Sequence, residues 1–248
     1  ESNSKELINF ISSPICNKQD LLLAHDKIFV EKFLTNALST QEKRKIGLQP
    51  WNDYIIERTM RIIGGSVSAV DSAIKGSISA NMAGGTHHAF HHYGAGYCVF
   101  NDLAVSAYVA KRDFNIQKIL IIDLDVHQGD GTASILKNDK NIFTFSMHCE
   151  KNYPLKKETS DLDIALPKDT NDSKYLEILE KNLKELENIK SEIIFFQAGV
   201  DTLKSDNLGY LSLSHIGLKI RNEMILKFAE KRENPIVIFM GGGYSKPI

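Results

Sequence analysis

Two rhythms of apolar residues alternate along this chain. Short runs of aliphatic, β-branched and aromatic residues predict buried strands at residues 118–123, 141–147, 192–198 and 236–240, and residues 77–83 make a short strand that leads into a glycine- and histidine-rich segment. Between them, apolar residues recur at helical spacing. Residues 4–38 read as helical segments: Leu7, Ile8 and Ile11 share a face, Pro14 breaks the run, and Asp20 caps LLLAHDKIFVEKFL. A second helix runs through Tyr54, Ile55, Met60 and Ile63 toward Lys75, with Pro50 in its first turn and Trp51 as an anchor. Asn101 caps DLAVSAYVAKRDF, a charged amphipathic helix covers about 173–190, and Ser212 or Ser214 caps HIGLKIRNEMILKFAEK. Residues 41–48 read as a charged connection and 150–170 as an irregular polar stretch. Strands alternating with helices predict an α/β architecture whose central parallel sheet is flanked by helices.

Polar or glycine-rich residues follow nearly every strand, at the sheet edge where open α/β folds bind ligands. The central run, KILIIDLDVHQGDGT, ends in acids, a histidine and glycines, and side-chain alternation sends Asp123, Asp125 and His127 the same way. Residues 84–102 hold four histidines and four glycines, a composition unsuited to a packed helix and suited to an active-site loop. The strand at 192–198 leads into Gly199 and Asp201, and the last one into Gly241, Gly242, Gly243 and Tyr244.

Composition narrows the function classes. The chain of 248 residues, 42% hydrophobic and 25% charged, is large enough for one sizeable core. With 30 basic and 31 acidic residues its formal charge of −1 gives no electrostatic case for nucleic acid or a membrane surface. Cys16, Cys98 and Cys149 are widely spaced and form no CxxC, which fits a reducing compartment: the cytoplasm, or the nucleus in a eukaryote. The opening ESNSKEL has neither an initiator Met nor the basic and apolar regions of a signal peptide, so we expect a chain whose true ends lie beyond these residues.

Together, Asp125, His127 and Asp201 offer three ligands and an open fourth place, the arrangement of a catalytic zinc. His87 and His88 are candidate bases beside it. Asp123 and Asp130 can orient those imidazoles or hold a second cation, and Tyr244 can donate to a developing oxyanion. Nucleotide loops are discounted, because Gly94–Ala95–Gly96 lacks the third glycine of the dinucleotide fingerprint and GGGY lacks a Lys-Ser/Thr pair. No G-x-S-x-G elbow supports a serine hydrolase.

GGTHHAF, GAGYCVFND, DLDVHQGDGT, FTFSMH, QAGVD and GGGY, in this order, resemble the histone deacetylase superfamily. NYPLKKETSDLD, LGYLSLS and MGGGY look most similar to its class IV-like branch and bacterial relatives. The resemblance implies a three-layer arginase/deacetylase-like fold and one catalytic domain over residues 1–248, short of some N- and C-terminal residues. It implies Zn²⁺ on Asp125, His127 and Asp201, and tandem acid/base histidines His87 and His88 paired with Asp123 and Asp130 respectively. Tyr244 is implied to polarise the acyl oxygen. A structural K⁺ is implied at Asp123, Asp125, His127, Ser146 and Met147, partly through backbone carbonyls, and tunnel walls at Gly96, Tyr97 and Tyr153. Cys98 is then a buried supporting residue rather than a nucleophile. His87, nine residues before Gly96, matches the family's catalytic spacing, so His91 and His92 are expected at the loop surface or rim. His25, His148 and His215 are expected to be structural.

The implied activity is removal of acetyl or longer acyl groups from lysine side chains in protein or peptide. A small acylated amine such as an acetylpolyamine is the nearest alternative substrate. A binuclear manganese ureohydrolase and an inactive acyl-lysine reader are more distant alternatives. No nucleic acid or membrane partner is expected. The family usually carries an N-terminal strand ahead of the first helices and further structure after GGGY, so the sheet edges and part of the substrate rim are expected to be incomplete.

Overall fold

The computed structural model describes residues 8–245. Six parallel strands form one sheet: β1 (Ile78–Asn81), β2 (Ile119–Asp123), β3 (Ile142–Cys149), β4 (Leu162–Leu166), β5 (Ile193–Gln197) and β6 (Ile236–Phe239), in the spatial order β1-β6-β5-β2-β3-β4. The chain builds outward from β2 through β3 to β4, then returns to β2's other flank with β5. The register sets Asp123 between Ser146 and Gln197, so the carboxyl ends of the three central strands lie level.

Burial on both faces explains the unbroken apolar runs. Ile119 and Ile121 of β2 pack into a core with Phe195, Val237 and the first helices. Leu120 and Ile122, pointing the other way, join a second core with Phe145, Tyr175, Leu179 and Ile225. Helices α1 (Lys18–Ala24), α2 (Lys27–Leu34), α4 (Tyr54–Gly76) and α5 (Asp102–Asp113) cover the first face, and α7 (Asp172–Leu186) and α8 (His215–Lys231) the second. Two short helices add to the first core: α3 (Thr40–Ile46) through Ile46, and α6 (Asp130–Leu136), which starts just past the end of β2 and crosses back toward β3, through Leu136. No helix among the described residues is long and apolar enough to cross a membrane.

Several sequence expectations need correction. Residues 8–17 carry no helix; Leu7 lies outside the described residues. The run expected from Asp20 to Leu34 is two helices. Asn17, not Asp20, accepts from the backbone of the first turn of α1, and Asp26 caps α2 by accepting from Ile28 and Phe29 N–H. Residues 41–48 are not a plain connection, because Ser39 and Glu42 form a reciprocal capping box that opens α3, and Gly47 closes it at φ 84°. Pro50 precedes α4, which begins at Tyr54, rather than sitting in its first turn. The irregular stretch contains the edge strand β4, which pairs with the far end of β3 from Phe145↔Leu162 to Cys149↔Leu166. Its short, partly exposed LDIAL gives a weak signal. Asn101 and Ser214 cap α5 and α8 as expected.

Core and edge isoleucines should differ sharply. Truncating Ile121→Ala, 1% exposed, should lower unfolding free energy by about 2–5 kcal/mol. Ile78→Ala on β1, 58% exposed, should cost under about 1 kcal/mol. Urea denaturation of the two variants checks this, and equal losses would contradict the placement of β2 at the centre.

Candidate active site

The chain leaves β2 at Asp123 and turns through residues 124–129 before α6 begins at Asp130. Within that turn Asp125 and His127 meet Asp201, which follows β5. His127 Nδ1 stands 3.0 Å from Asp125 Oδ1 and 3.1 Å from Asp201 Oδ2, all three residues being buried. Backbone amides hold the acids: Gly242 N–H donates to Asp125 Oδ2 at 2.8 Å, His127 N–H to Asp125 Oδ1 at 3.0 Å, and Val126 N–H to Asp201 Oδ1 at 3.0 Å. Two glycines are required here. A Cβ on Gly199 would stand 2.3 Å from Asp125 Oδ2, and one on Gly242 would stand 2.1 Å from Asp201 Oδ2.

His87 and His88 lie beside this group with ring centroids 4.1 Å apart. His87 Nδ1 is 2.8 Å from Asp123 Oδ2 and His88 Nδ1 is 2.7 Å from Asp130 Oδ1. Their environments separate them. Burial pushes His87 down, but the carboxylates of Asp123 and Asp125 outweigh it and raise its pKa to about 9. Burial and the neighbouring His87 lower His88 to about 4, against the pull of Asp130.

A cavity of about 540 Å³ opens over these groups. His88, His127, Gly96, Tyr97, Tyr153 and Tyr244 all line it, together with Lys45 and Lys151 at its mouth. The Tyr153 ring meets His88 edge-on at 4.9 Å. Gly96 has φ 53°, and a Cβ there would stand 2.7 Å from His88 Cδ2, so glycine lets the wall close on the imidazole. Burial, then Asp125 and Asp201, raise the Tyr244 phenol and keep its proton on. Its backbone N–H donates to Asp206 Oδ2 at 2.6 Å.

Other candidates lie where their structural readings put them. His91 Nδ1 is 2.8 Å from Ala24 O, and His92 packs on Tyr93; neither lines the cavity. His25 is 2% exposed, and its Nε2 accepts from Asn101 N–H at 2.9 Å, which leaves Nδ1 to donate to Phe90 O. Burial lowers its pKa to about 3, consistent with that neutral tautomer. His148 is buried with its Nδ1 2.9 Å from Ser146 Oγ, and His215 is exposed at the start of α8. Ser146 neighbours Asp123 across the β2–β3 ladder and Met147 is buried beside it. The Cys98 thiol donates to Gly96 O at 3.3 Å and burial raises its pKa, as for an inert buried cysteine.

The sequence did not point to Asn101 as more than a cap. Its Nδ2 donates to His87 O and Ala89 O, each at 3.2 Å, and to Thr132 Oγ1 at 3.0 Å, tying the histidine loop to α5 and α6. A buried amide whose partners are two carbonyls of the histidine loop and a hydroxyl of another helix leaves no local pattern to read.

A family model for the histone deacetylase domain matches residues 1–248. The chain belongs to that family. Among curated relatives of this deacetylase-family chain, an uncharacterized protein of Picosynechococcus sp. is 42% identical over 92% of the chain and 76% of its own length. Histone deacetylase 2 of Arabidopsis thaliana is 27% identical, covering 93% of the chain and 62% of the relative. The acetoin utilization protein AcuC of Staphylococcus aureus is also 27% identical, with 93% and 65% covered. The chain thus spans less than two thirds of these last two. Among solved structures, an HDAC homolog from Aquifex aeolicus superposes with a TM-score of 0.81 at 27% identity, covering 96% of this chain and 70% of that one. The HDA15 HD domain superposes at 0.78 and 21% identity, with 95% and 72% covered, a likeness of fold.

Within this deacetylase-family site, Asp125, His127 and Asp201 form a possible metal-binding group whose donor atoms lie within 4.8 Å of one another. Two carboxylates and one imidazole, all buried, with His127 reaching the cavity, fit a divalent ion that keeps an open place. Burial lowers His127, but Asp125 and Asp201 outweigh it and raise its pKa to about 10. The two carboxylates therefore favour the protonated imidazole in the metal-free protein, and burial raises Asp201 itself to about 7, so a metal must displace protons from both. Metal affinity should rise about tenfold or more per pH unit near pH 7, with between about one and two protons released per ion. Titration in buffers of different ionisation enthalpy measures that proton count, and a value near zero would contradict the assignment.

Proposed function

We propose that this chain is a zinc-dependent amidohydrolase that removes acetyl or longer acyl groups from lysine side chains in protein or peptide. The observation that carries the reading is the convergence of His88, His127 and Tyr244 on one cavity, with carboxylates held behind both imidazoles and the Tyr244 backbone anchored on Asp206. Zinc held by Asp125, His127 and Asp201 supplies a Lewis acid that polarises the acyl carbonyl and lowers the pKa of water.

His88 is the base in this scheme. Its Nδ1 proton goes to Asp130, which leaves the Nε2 lone pair free, and its low pKa keeps it neutral at ambient pH. It takes the proton of the attacking water and hands it to the departing lysine amine. His87, held on Asp123, keeps its own proton and adds positive charge beside the reacting carbon. Tyr244 donates its hydroxyl to the oxygen that gains charge as the tetrahedral state forms. Gly96, Tyr97 and Tyr153 wall the acyl-lysine stem. We assign the monovalent cation, K⁺, to Asp123, Asp125, His127, Ser146 and Met147.

The cavity lining includes Lys45 and Lys151 and no carboxylate among the described lining residues. A polyamine brings further cations that such a rim repels, which favours an acylated lysine in a peptide over an acetylpolyamine. Class IV-like membership rests on NYPLKKETSDLD, LGYLSLS and MGGGY, and placement in the cytoplasm on three buried free thiols.

Tyr244→Phe should reduce kcat on an acetyl-lysine peptide by about 10²–10³ while leaving zinc content at one per chain. His88→Ala should be at least as damaging. The decisive assay compares acetyl-lysine, longer acyl-lysine and acetylpolyamine substrates with and without a chelator. Peptide binding without zinc-dependent hydrolysis would make the protein a reader, and two manganese ions per chain would favour the ureohydrolase alternative.

A further inference from the structure

Arg221 of α8 is 0% exposed and the largest fully buried side chain described. Its Nη1 donates to Gly199 O at 2.7 Å, Leu124 O at 3.1 Å and Thr202 Oγ1 at 3.4 Å, and its Nη2 to Ala198 O at 3.1 Å. Asn222 Oδ1 braces the fork from outside, accepting from Nε at 3.0 Å and Nη2 at 2.8 Å. No carboxylate forms an ion pair with it among the described residues, an unusual state for a buried guanidinium.

The groups it grips explain its position. Leu124 stands between Asp123 and Asp125, while Ala198, Gly199 and Thr202 bracket Asp201. All lie past the last paired residues of β2 and β5, Asp123↔Gln197, where the ladder gives way to single backbone bonds such as Leu124 N–H to Gln197 O at 3.1 Å and Ala198 N–H to Phe239 O at 2.8 Å, and Arg221 holds the carbonyls of Leu124, Ala198 and Gly199. One planar fork therefore spans the two strand ends that carry the carboxylates of the metal-binding group. In turn those carboxylates are buried, and among the described residues their ion-pair contacts are with histidines only.

We propose that Arg221 is a positioning residue for metal binding: its guanidinium locks the ends of β2 and β5 so that Asp125 and Asp201 converge on His127. The inference rests on the metal assignment of the proposed function. A lysine keeps the charge, but its single ammonium cannot reproduce a planar fork across two strands. Arg232, a partly exposed arginine that also grips backbone carbonyls, supplies a control. It binds backbone carbonyls of Leu186, Glu187 and Ile189 and the hydroxyl of Ser191, before β5 and at the opposite end of that strand.

The test uses Arg221→Lys, Arg232→Lys and Asn222→Ala in the full chain, with zinc affinity from chelator competition, thermal unfolding of the metal-free protein, and kcat and KM on an acetyl-lysine peptide. Arg221→Lys is expected to bind zinc at least tenfold more weakly. At saturating zinc it should lose at least tenfold in kcat, with KM within threefold. Arg232→Lys should unfold at lower temperature yet keep zinc affinity within twofold. Zinc affinity and kcat within twofold of the parent in Arg221→Lys overturn the proposal, as does an equal loss of zinc in Arg232→Lys. If Arg221→Lys does not accumulate as folded protein, Asn222→Ala decides, since its half-buried site tolerates truncation. Zinc affinity weakened severalfold there supports the proposal, and parent-like affinity overturns it. A parent that binds zinc but hydrolyses no acyl-lysine ends the proposed activity while the zinc affinities still judge Arg221; a parent that binds no zinc ends both.

Discussion

Three carboxylates, Asp123, Asp125 and Asp201, are buried together at the ends of two adjacent strands, and much of the surrounding structure answers that placement. Removing an ionised carboxylate from water costs several kcal/mol even after relaxation. Here the cost is met mainly by the backbone and by imidazole. Amides of Val126, His127 and Gly242 donate to Asp201 and Asp125, Asp125 N–H donates to Asp123 Oδ1, and His87 and His127 supply the remaining polar contacts. Such donors are available only if the strand-end loops approach closely, which is why glycine stands at 199 and 242.

That crowding also accounts for how the histidine loop is held. Its residues have few regular backbone bonds of their own, so order must come from outside. Asn101 grips the loop from α5, Thr132 N–H donates to His87 O from α6, and His25 ties Phe90 and Asn101 to the first helices. Asp102 accepts from Gly85 and Thr86 N–H at the loop's entrance. The loop that carries the imidazoles thus rests on α5, α6 and the turn between α1 and α2.

What was legible in the chain follows from the range of each interaction. Four strands, β2, β3, β5 and β6, announced themselves because burial on both faces forces continuous apolar runs. The edge strands β1 and β4 each bury only their last residue; β1 was read from its place ahead of the glycine- and histidine-rich loop, and β4, inside a polar stretch, was not read. α3 escaped because its seven residues bury only Ile46, and the decisive signal was the Ser39–Glu42 pair rather than periodicity. At the site, the acids and histidines stood out as chemistry at strand ends, and the structure brings Asp125, His127 and Asp201 together as expected. Arg221 and Asn101 were opaque for a common reason. Each acts through backbone groups far away in sequence, and a carbonyl has no identity that a sequence can display.

The two adjacent histidines show how position rather than residue type sets their protonation. Both are buried, and each has one carboxylate at hydrogen-bond distance. His87 has a second, Asp125 Oδ1, 3.8 Å from its Nε2, whereas the next charged neighbour of His88 is His87 itself. Protonating one ring makes protonation of the other harder, because their centroids are only 4.1 Å apart in a poorly screened interior. The second carboxylate decides which ring takes the proton, and it selects His87. His88 is left neutral, and of the two it is the one that lines the cavity. An arrangement with the carboxylates exchanged would place the cation on the ring that lines the cavity, so Asp125 shapes the proton inventory of the pair as well as the donor set of the possible metal-binding group.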